Sequence, residues 1–173
     1  NELNKFKERE INIIKGNKNS LILLMIGGNN KRYKPKNYDY YYLSKKILEA
    51  TKSLNCKLLV LLSRRTPLNV AKILNYSFLK HNDNFQIITS SEQNPYPDIL
   101  QITDYVIVTS DSVNMVSEIA TLSIPLFVST FSKETGKISK FLKNLEELGV
   151  LKKFEGKLFH YDKKTLKTNQ NTI

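Results

Sequence analysis

The sequence predicts an α/β domain with a doubly wound, Rossmann-like parallel sheet, running from about Ser20 to Phe154. Three observations predict it. Strand-length apolar runs recur along this stretch; they are nearly continuous rather than alternating, as strands covered on both faces require; and amphipathic helical spacings separate them. The runs are Leu21–Ile26, Lys57–Leu62, Phe85–Ile88, Tyr105–Val108 and Pro125–Val128, with Phe85–Ile88 the weakest. After the first, Leu43, Ile47, Ala50 and Leu54 step by four, three and four, the spacing of one helix face. Val70, Leu74 and Phe78 mark a second helix, and Val113, Val116, Ile119 and Ala120 a third. Ile138, Phe141, Leu142, Leu145 and Leu148 mark a fourth, which Gly149 stops. Alternating strands and helices give right-handed crossovers, and the expected strand order is 3-2-1-4-5. The first and fourth strands are then neighbours, and the turns that follow them flank the switch point.

At 173 residues the chain has room for one sizeable core but not for two complete α/β lobes. No run approaches the roughly 18 apolar residues of a membrane-spanning helix. The lone cysteine, Cys56, leaves no internal disulfide and fits a reducing, cytoplasmic compartment. With only His81 and His160 beside it, no zinc site is expected, and Cys56 and His81 are read as structural. The formal net charge is +11, but the lysines are dispersed over helix faces and termini. No strand combines basic and aromatic residues for stacking bases, which argues against nucleic acid. Dispersed charge is enough for loose attraction to anionic lipid head groups, peripheral to the inner membrane. The two ends read differently from the middle. Residues 1–19 place Leu3, Phe6, Glu10 and Ile14 at helical spacing, then break at Gly16–Ser20, as a short helix and linker. Residues 155–173 read as a lysine-rich C-terminal tail with a frayed end.

In an open α/β sheet, ligands bind outside the carboxyl ends of the strands. Four turns there are polar. Gly27-Gly28-Asn29-Asn30-Lys31 lets backbone approach a ligand closely, yet matches neither the dinucleotide fingerprint nor a Walker loop. Ser63-Arg64-Arg65-Thr66-Pro67 sets two of the chain's four arginines side by side, and guanidinium forks suit phosphate. Thr66 is expected to cap the following helix, with Pro67 at its first position. Ser90–Tyr96 closes with Asn94-Pro95-Tyr96, a loop pattern. Thr109–Glu118 sets Ser110, Asp111 and Ser112 at a helix start, where exposed N–H groups favour an anion such as pyrophosphate. Asp111 is expected to cap that helix or to meet a sugar hydroxyl. Glu118, roughly 700° round the helix and about 10 Å further along it, falls on nearly the same face.

Taken together, Ile26-Gly27-Gly28, Ser63–Pro67, Asn94-Pro95-Tyr96 and Val108–Glu118 resemble, in order and spacing, the elongated-mitochondria family of mitochondrial-fission proteins. The resemblance runs from about Ser20 to Tyr161. It implies a GT-B glycosyltransferase-like architecture, with residues 20–154 as the nucleotide-binding C-terminal lobe and residues 1–19 leading in from an N-terminal lobe outside this chain. It implies a nucleoside-diphosphate sugar as substrate, no cofactor, and a lipid or saccharide acceptor. By resemblance, Glu118 holds the ribose, the Ser110–Ser112 helix start faces the pyrophosphate, and Met115 belongs to the nucleotide-sugar set. Gly27 and Gly28 lie against the donor, and Arg64, Arg65 and Asn94 complete the nucleotide-sugar set. The general base would belong to the other lobe, so no catalytic residue is named. The alternatives are a non-catalytic scaffold at a membrane surface and a truncated, inactive fragment.

Overall fold

The computed structural model describes residues 20–29, 34–80, 84–89, 96–131 and 136–167. Within them, strands β1 (Ser20–Ile26), β2 (Cys56–Leu62), β3 (Phe85–Ile88), β4 (Tyr105–Thr109), β5 (Leu126–Ser129) and β6 (Lys152–Lys153) form one sheet. Its order is β3-β2-β1-β4-β5-β6, and every pairing is parallel. The expected 3-2-1-4-5 order holds, with the two-residue β6 added beside β5. The helices are α1 (Asn37–Thr51), α2 (Leu68–Leu79), α3 (Tyr96–Leu100), α4 (Val113–Ala120) and α5 (Lys137–Glu147).

The continuous apolar runs have their reason in two cores. Ile22, Leu24 and Ile26 face one side with Leu58, Val60 and Phe127, under Leu43 and Ile47 of α1 and Val70, Leu74 and Phe78 of α2. Leu21, Leu23 and Met25 face the other with Val106 and Val108, under Val116 and Ile119 of α4 and Leu142 and Leu145 of α5. A β1 residue that faced water on either side would break one of these cores, which is why alternation is absent.

Local boundaries differ from the sequence reading in three places. Helix α1 begins at Asn37, six residues before the periodic Leu43, because the Asp39 carboxylate accepts the Lys36 N–H at 2.7 Å and holds the first turn; Leu54 lies beyond its end. Leu148 is not part of the buried stripe of α5 but 60% exposed, because the helix has ended and Gly149 turns the chain at φ +79. Ordered structure also continues past Phe154. Phe159 and Tyr161 stack edge-on against Phe127, the Tyr161 hydroxyl donates to Leu126 O (2.8 Å) and accepts from Leu126 N–H (3.1 Å), and Lys163 Nζ donates to Ile119 O (2.9 Å). Residues 155–167 thus form a strap over the β5 side of the sheet. The expected helix in residues 1–19, His81, Asn94 and the last six residues lie outside the described residues. Among the described residues, no helix is long and apolar enough to cross a membrane.

Candidate functional site

Strands β1 and β4 are adjacent and parallel, Leu24 opposite Ile107 and Met25 opposite Val108. The chain leaves β1 toward α1 on one face and leaves β4 toward α4 on the other. Their turns therefore part at the carboxyl edge, the switch point at which open α/β sheets bind ligands. Three of the four turns singled out in the sequence meet there.

The glycine turn is locked to both neighbours. Gly27 N–H donates to Thr109 Oγ1 at 2.9 Å, and Thr109 Oγ1 donates in turn to Asp111 Oδ1 at 2.6 Å. A Cβ on Gly27 would stand 2.6 Å from Asp111 Oδ1, and one on Gly28 only 2.2 Å from the carbonyl carbon and oxygen of Arg65. Both glycines are needed for close approach, not for a left-handed φ, since neither is among the positive-φ residues. Asn29 N–H donates to Arg65 O at 3.3 Å, tying the first turn to the second.

Two expected helix caps are corrected here. Thr66 does not cap α2: Pro67 stands at the N-cap position without a side-chain cap bond. The Thr66 hydroxyl instead accepts from Ser63 N–H (2.9 Å) and donates to Gly27 O (2.5 Å), because that carbonyl, in a buried turn, needs a donor. Asp111 does not cap α4 either. Its carboxylate turns back to Thr109 and packs against Gly27, and Ser112, the N-cap residue, makes no side-chain cap bond.

The amino end of α4 is consequently open. Val116 N–H bonds Ser112 O at 3.1 Å, but the N–H groups of Val113, Asn114 and Met115 have no acceptor among the described residues. Ser110 and Ser112 are buried beside them, with Ser110 N–H bound to Ser129 O at 3.0 Å; Met115 is half-buried. Aligned free amides carry partial positive charge at a helix start.

Asp111 is 5% exposed, and its pKa is pushed up to about 6. Burial is the main cause; the Thr109 hydroxyl, its own backbone and the Arg65 guanidinium act in the opposite direction. Arg64 and Arg65 are both exposed; Arg65 faces Asp111 electrostatically, whereas Arg64 makes no polar contact among the described residues. Glu118 is exposed on the second turn of α4, and its charge acts on a residue the sequence reading left out of the site. The pKa of the Tyr96 phenol is raised by burial first and by the charge of Glu118 second. The sequence signal was present in the Asn-Pro-Tyr loop, where only Asn94 was singled out.

The site is an open edge; of two cavities, one lies at the opposite edge of the sheet and the other borders the site through Ser129, whose carbonyl holds Ser110 N–H. One of about 810 Å³ between α1 and α2 is lined by Cys56, Lys80 and Asn84, at the amino edge of the sheet. One of about 820 Å³ lies between α1 and the end of β5, around Lys46, Ser129 and Phe131.

Comparison with known proteins places this arrangement. The family described as mitochondrial fission ELM1 matches residues 1–172. The chain belongs to that family. It is 34% identical over 97 residues to mitochondrial fission protein ELM1 of Arabidopsis thaliana, an alignment covering 56% of this chain and 22% of the plant protein. Among solved structures, that of MurG from Acinetobacter baumannii is similar, with TM-score 0.52 at 15% identity over 82% of this chain and 40% of MurG. That of HAL3 from Cryptococcus neoformans gives TM-score 0.41 at 10% identity, over 76% of this chain and 79% of that one. At such identities the likeness to MurG is one of fold, and the ELM1-family chain has a GT-B-like, Rossmann-type sheet. It spans well under half of both the plant relative and MurG.

Proposed function

We propose that this ELM1-family domain is the nucleotide-sugar-binding, C-terminal half of a GT-B glycosyltransferase. The observation that carries the proposal is the open amino end of α4 at the β1–β4 switch point. A diphosphate there would accept from the amides of Val113, Asn114 and Met115, with the buried Ser110 and Ser112 beside it and the Gly27-Gly28 backbone alongside. Glu118, one and a half turns further along α4, would accept from the ribose hydroxyls, and Arg65 would add charge from the β2 turn. Asn94, in the loop before α3, is the remaining candidate. In transfer, the fixed amides would stabilise charge developing on the leaving diphosphate, as preorganised donors do in general. The general base and most of the acceptor contacts, to a lipid or saccharide, would come from an N-terminal lobe, and the chain's positive charge suits work at an anionic membrane surface.

Calorimetric titration of the chain with UDP, GDP and ADP tests the reading. One of the three is expected to bind, and Glu118→Gln to weaken it by about 1–3 kcal/mol, the strength of a hydrogen bond to a charged group. Equal affinity for wild type and Glu118→Gln would remove the ribose assignment. No binding of any nucleotide would favour the reading as a scaffold.

A further inference from the structure

We infer that the outer side of α1 and α2 is a docking face for an anionic lipid bilayer. This gives the membrane part of the reading above a definite surface, and it does not depend on nucleotide binding. The two helices lie side by side over one face of the sheet, and α4 and α5 cover the other. The large hydrophobic side chains exposed among the described residues are unevenly shared between these layers. Tyr38, Tyr41, Tyr42, Leu68, Tyr76 and Leu79 all belong to α1 and α2, and only Leu148 and Phe159 lie elsewhere. Within α4 and α5 every exposed residue is polar or charged. Both layers bury an apolar stripe against the sheet, so packing does not account for tyrosines on the wet side of one of them.

The order of these side chains indicates what covers them. Tyr38, Tyr41, Lys45 and Lys52 follow the spacing of one helix face along α1, and Leu68, Lys72, Tyr76 and Leu79 do so along α2. A groove of about 810 Å³ runs between the helices, lined by Tyr41, Lys45, Lys52, Tyr76 and Lys80. Glu49 is the sole exposed carboxylate on either helix. Such a surplus of lysine repels a second copy set face to face, and it complements lipid phosphates. Tyrosine, with an apolar ring and a polar tip, suits the head-group level of a bilayer. Among the described residues no helix is long and apolar enough to cross a membrane, so the contact is made from one side, as by an interfacial helix. Because α4 belongs to the opposite layer, its amino end stays uncovered when α1 and α2 dock.

The test is sedimentation of the chain with vesicles of phosphatidylcholine alone and of phosphatidylcholine and phosphatidylglycerol in equal parts. Binding is expected to the mixed vesicles and to be far weaker with phosphatidylcholine alone. Lys45→Gln with Lys52→Gln should weaken it by about twenty-five-fold, roughly fivefold for each lysine near an anionic surface. Tyr41→Ser with Tyr76→Ser should weaken it by about tenfold through lost apolar contact. Lys137→Gln with Lys140→Gln removes the same charge from α5 and should change binding by less than about twofold, since charge distant from the contact is screened. All these side chains are exposed, and circular dichroism checks that each variant folds. The sequence has no tryptophan, so Tyr41→Trp and Lys140→Trp each report one position. Emission should shift to the blue with mixed vesicles in Tyr41→Trp alone. Equal weakening by the α1 and α5 lysine pairs would show undirected attraction and overturn the docking face, as would absence of binding by wild type. A dimer in light scattering that Tyr41→Ser with Tyr76→Ser returns to monomer would assign the face to a second copy instead. Titration with UDP, GDP and ADP should be unchanged in every variant, so a failure here and a failure of the nucleotide reading are told apart.

Discussion

The replacement Gly28→Ala tests the joined turns most directly. The added Cβ would lie 2.2 Å from both the carbonyl carbon and oxygen of Arg65 and 2.5 Å from Arg65 Cβ. That is more than an ångström inside ordinary contact, and two of the three atoms are backbone, so no rotamer change relieves it. The Ser63–Pro67 turn must move outward or β1 must shift within the sheet. All seven residues of β1 pair with β2, four of them also pair with β4, and six are buried, so the turn is the part that yields. Its movement breaks the Asn29–Arg65 bond and pulls Thr66 from Gly27 O. Overpacking of this kind costs about 1–3 kcal/mol, and each bond lost about 0.5–1.5 kcal/mol. The sum expected is about 2–6 kcal/mol. For a domain of this size that lowers Tm by roughly 5–15 °C. Urea unfolding followed by circular dichroism should give a lower midpoint with an unchanged slope. A variant that melts within a degree or two of wild type would refute the close approach of the two turns, and with it the site they build.

Two further outcomes are expected of stability. Asp111 has its pKa raised by burial from near 4 to about 6, so the folded state holds a proton there that the unfolded chain has released. Its contribution is present in full below pH 4 and is lost as pH rises through 6, about 2–3 kcal/mol in all. Asp111→Asn, which keeps an oxygen for Thr109, should abolish this part of the pH dependence and leave the protein at least as stable as wild type at pH 7; pH-resolved urea melts of both decide it, and identical profiles would contradict the assignment. Tyr161→Phe removes a hydroxyl that both donates to and accepts from Leu126, and leaves the Leu126 N–H without that partner. It should cost about 1–3 kcal/mol and speed proteolysis within residues 155–167, measured as cleavage rate against wild type.

The sheet was legible because burial on both faces writes itself into sequence: Leu21 to Ile26 has no polar residue, so neither face is wet. Strand order followed from crossover handedness, which needs no knowledge of side chains. The two-residue β6 was not legible, since Lys152-Lys153 has no strand pattern and pairs only because Val150, Leu151 and Phe154 are anchored around it. The turns were found, but the work of their polar groups was not. Thr66 and Asp111 each have a local helix start to cap, and each turns instead to a group across the switch point. Local spacing sees only the first option; the second exists once β1, β2 and β4 lie side by side. The strap was hidden by its lysines, although Leu158, Phe159, Tyr161 and Leu166 supply its contacts with the cores.

The composition of the site bears on how it would hold a ligand. The chain's +11 charge is carried mostly by lysine, yet the switch point is built from backbone amides, serine hydroxyls and glycines, with Arg64 and Arg65 at its margin. Amides fixed at a helix start hold their dipoles without side-chain ordering, and at contact distance they are screened less by salt than dispersed surface charge is. Nucleotide affinity should therefore depend on salt far less than attraction of the same chain to an anionic surface. The buried Asp111 adds a condition. A diphosphate near it would raise its pKa further, so binding near pH 6.5 should take up protons. That uptake appears as a dependence of the measured binding enthalpy on the buffer's ionisation enthalpy, and it should vanish in Asp111→Asn. An edge open to solvent on one side binds but does not exclude water, and glycosyl transfer without hydrolysis requires that exclusion. On this reasoning the domain alone should bind nucleotide and transfer nothing, and activity should need a second lobe closing over the amino end of α4.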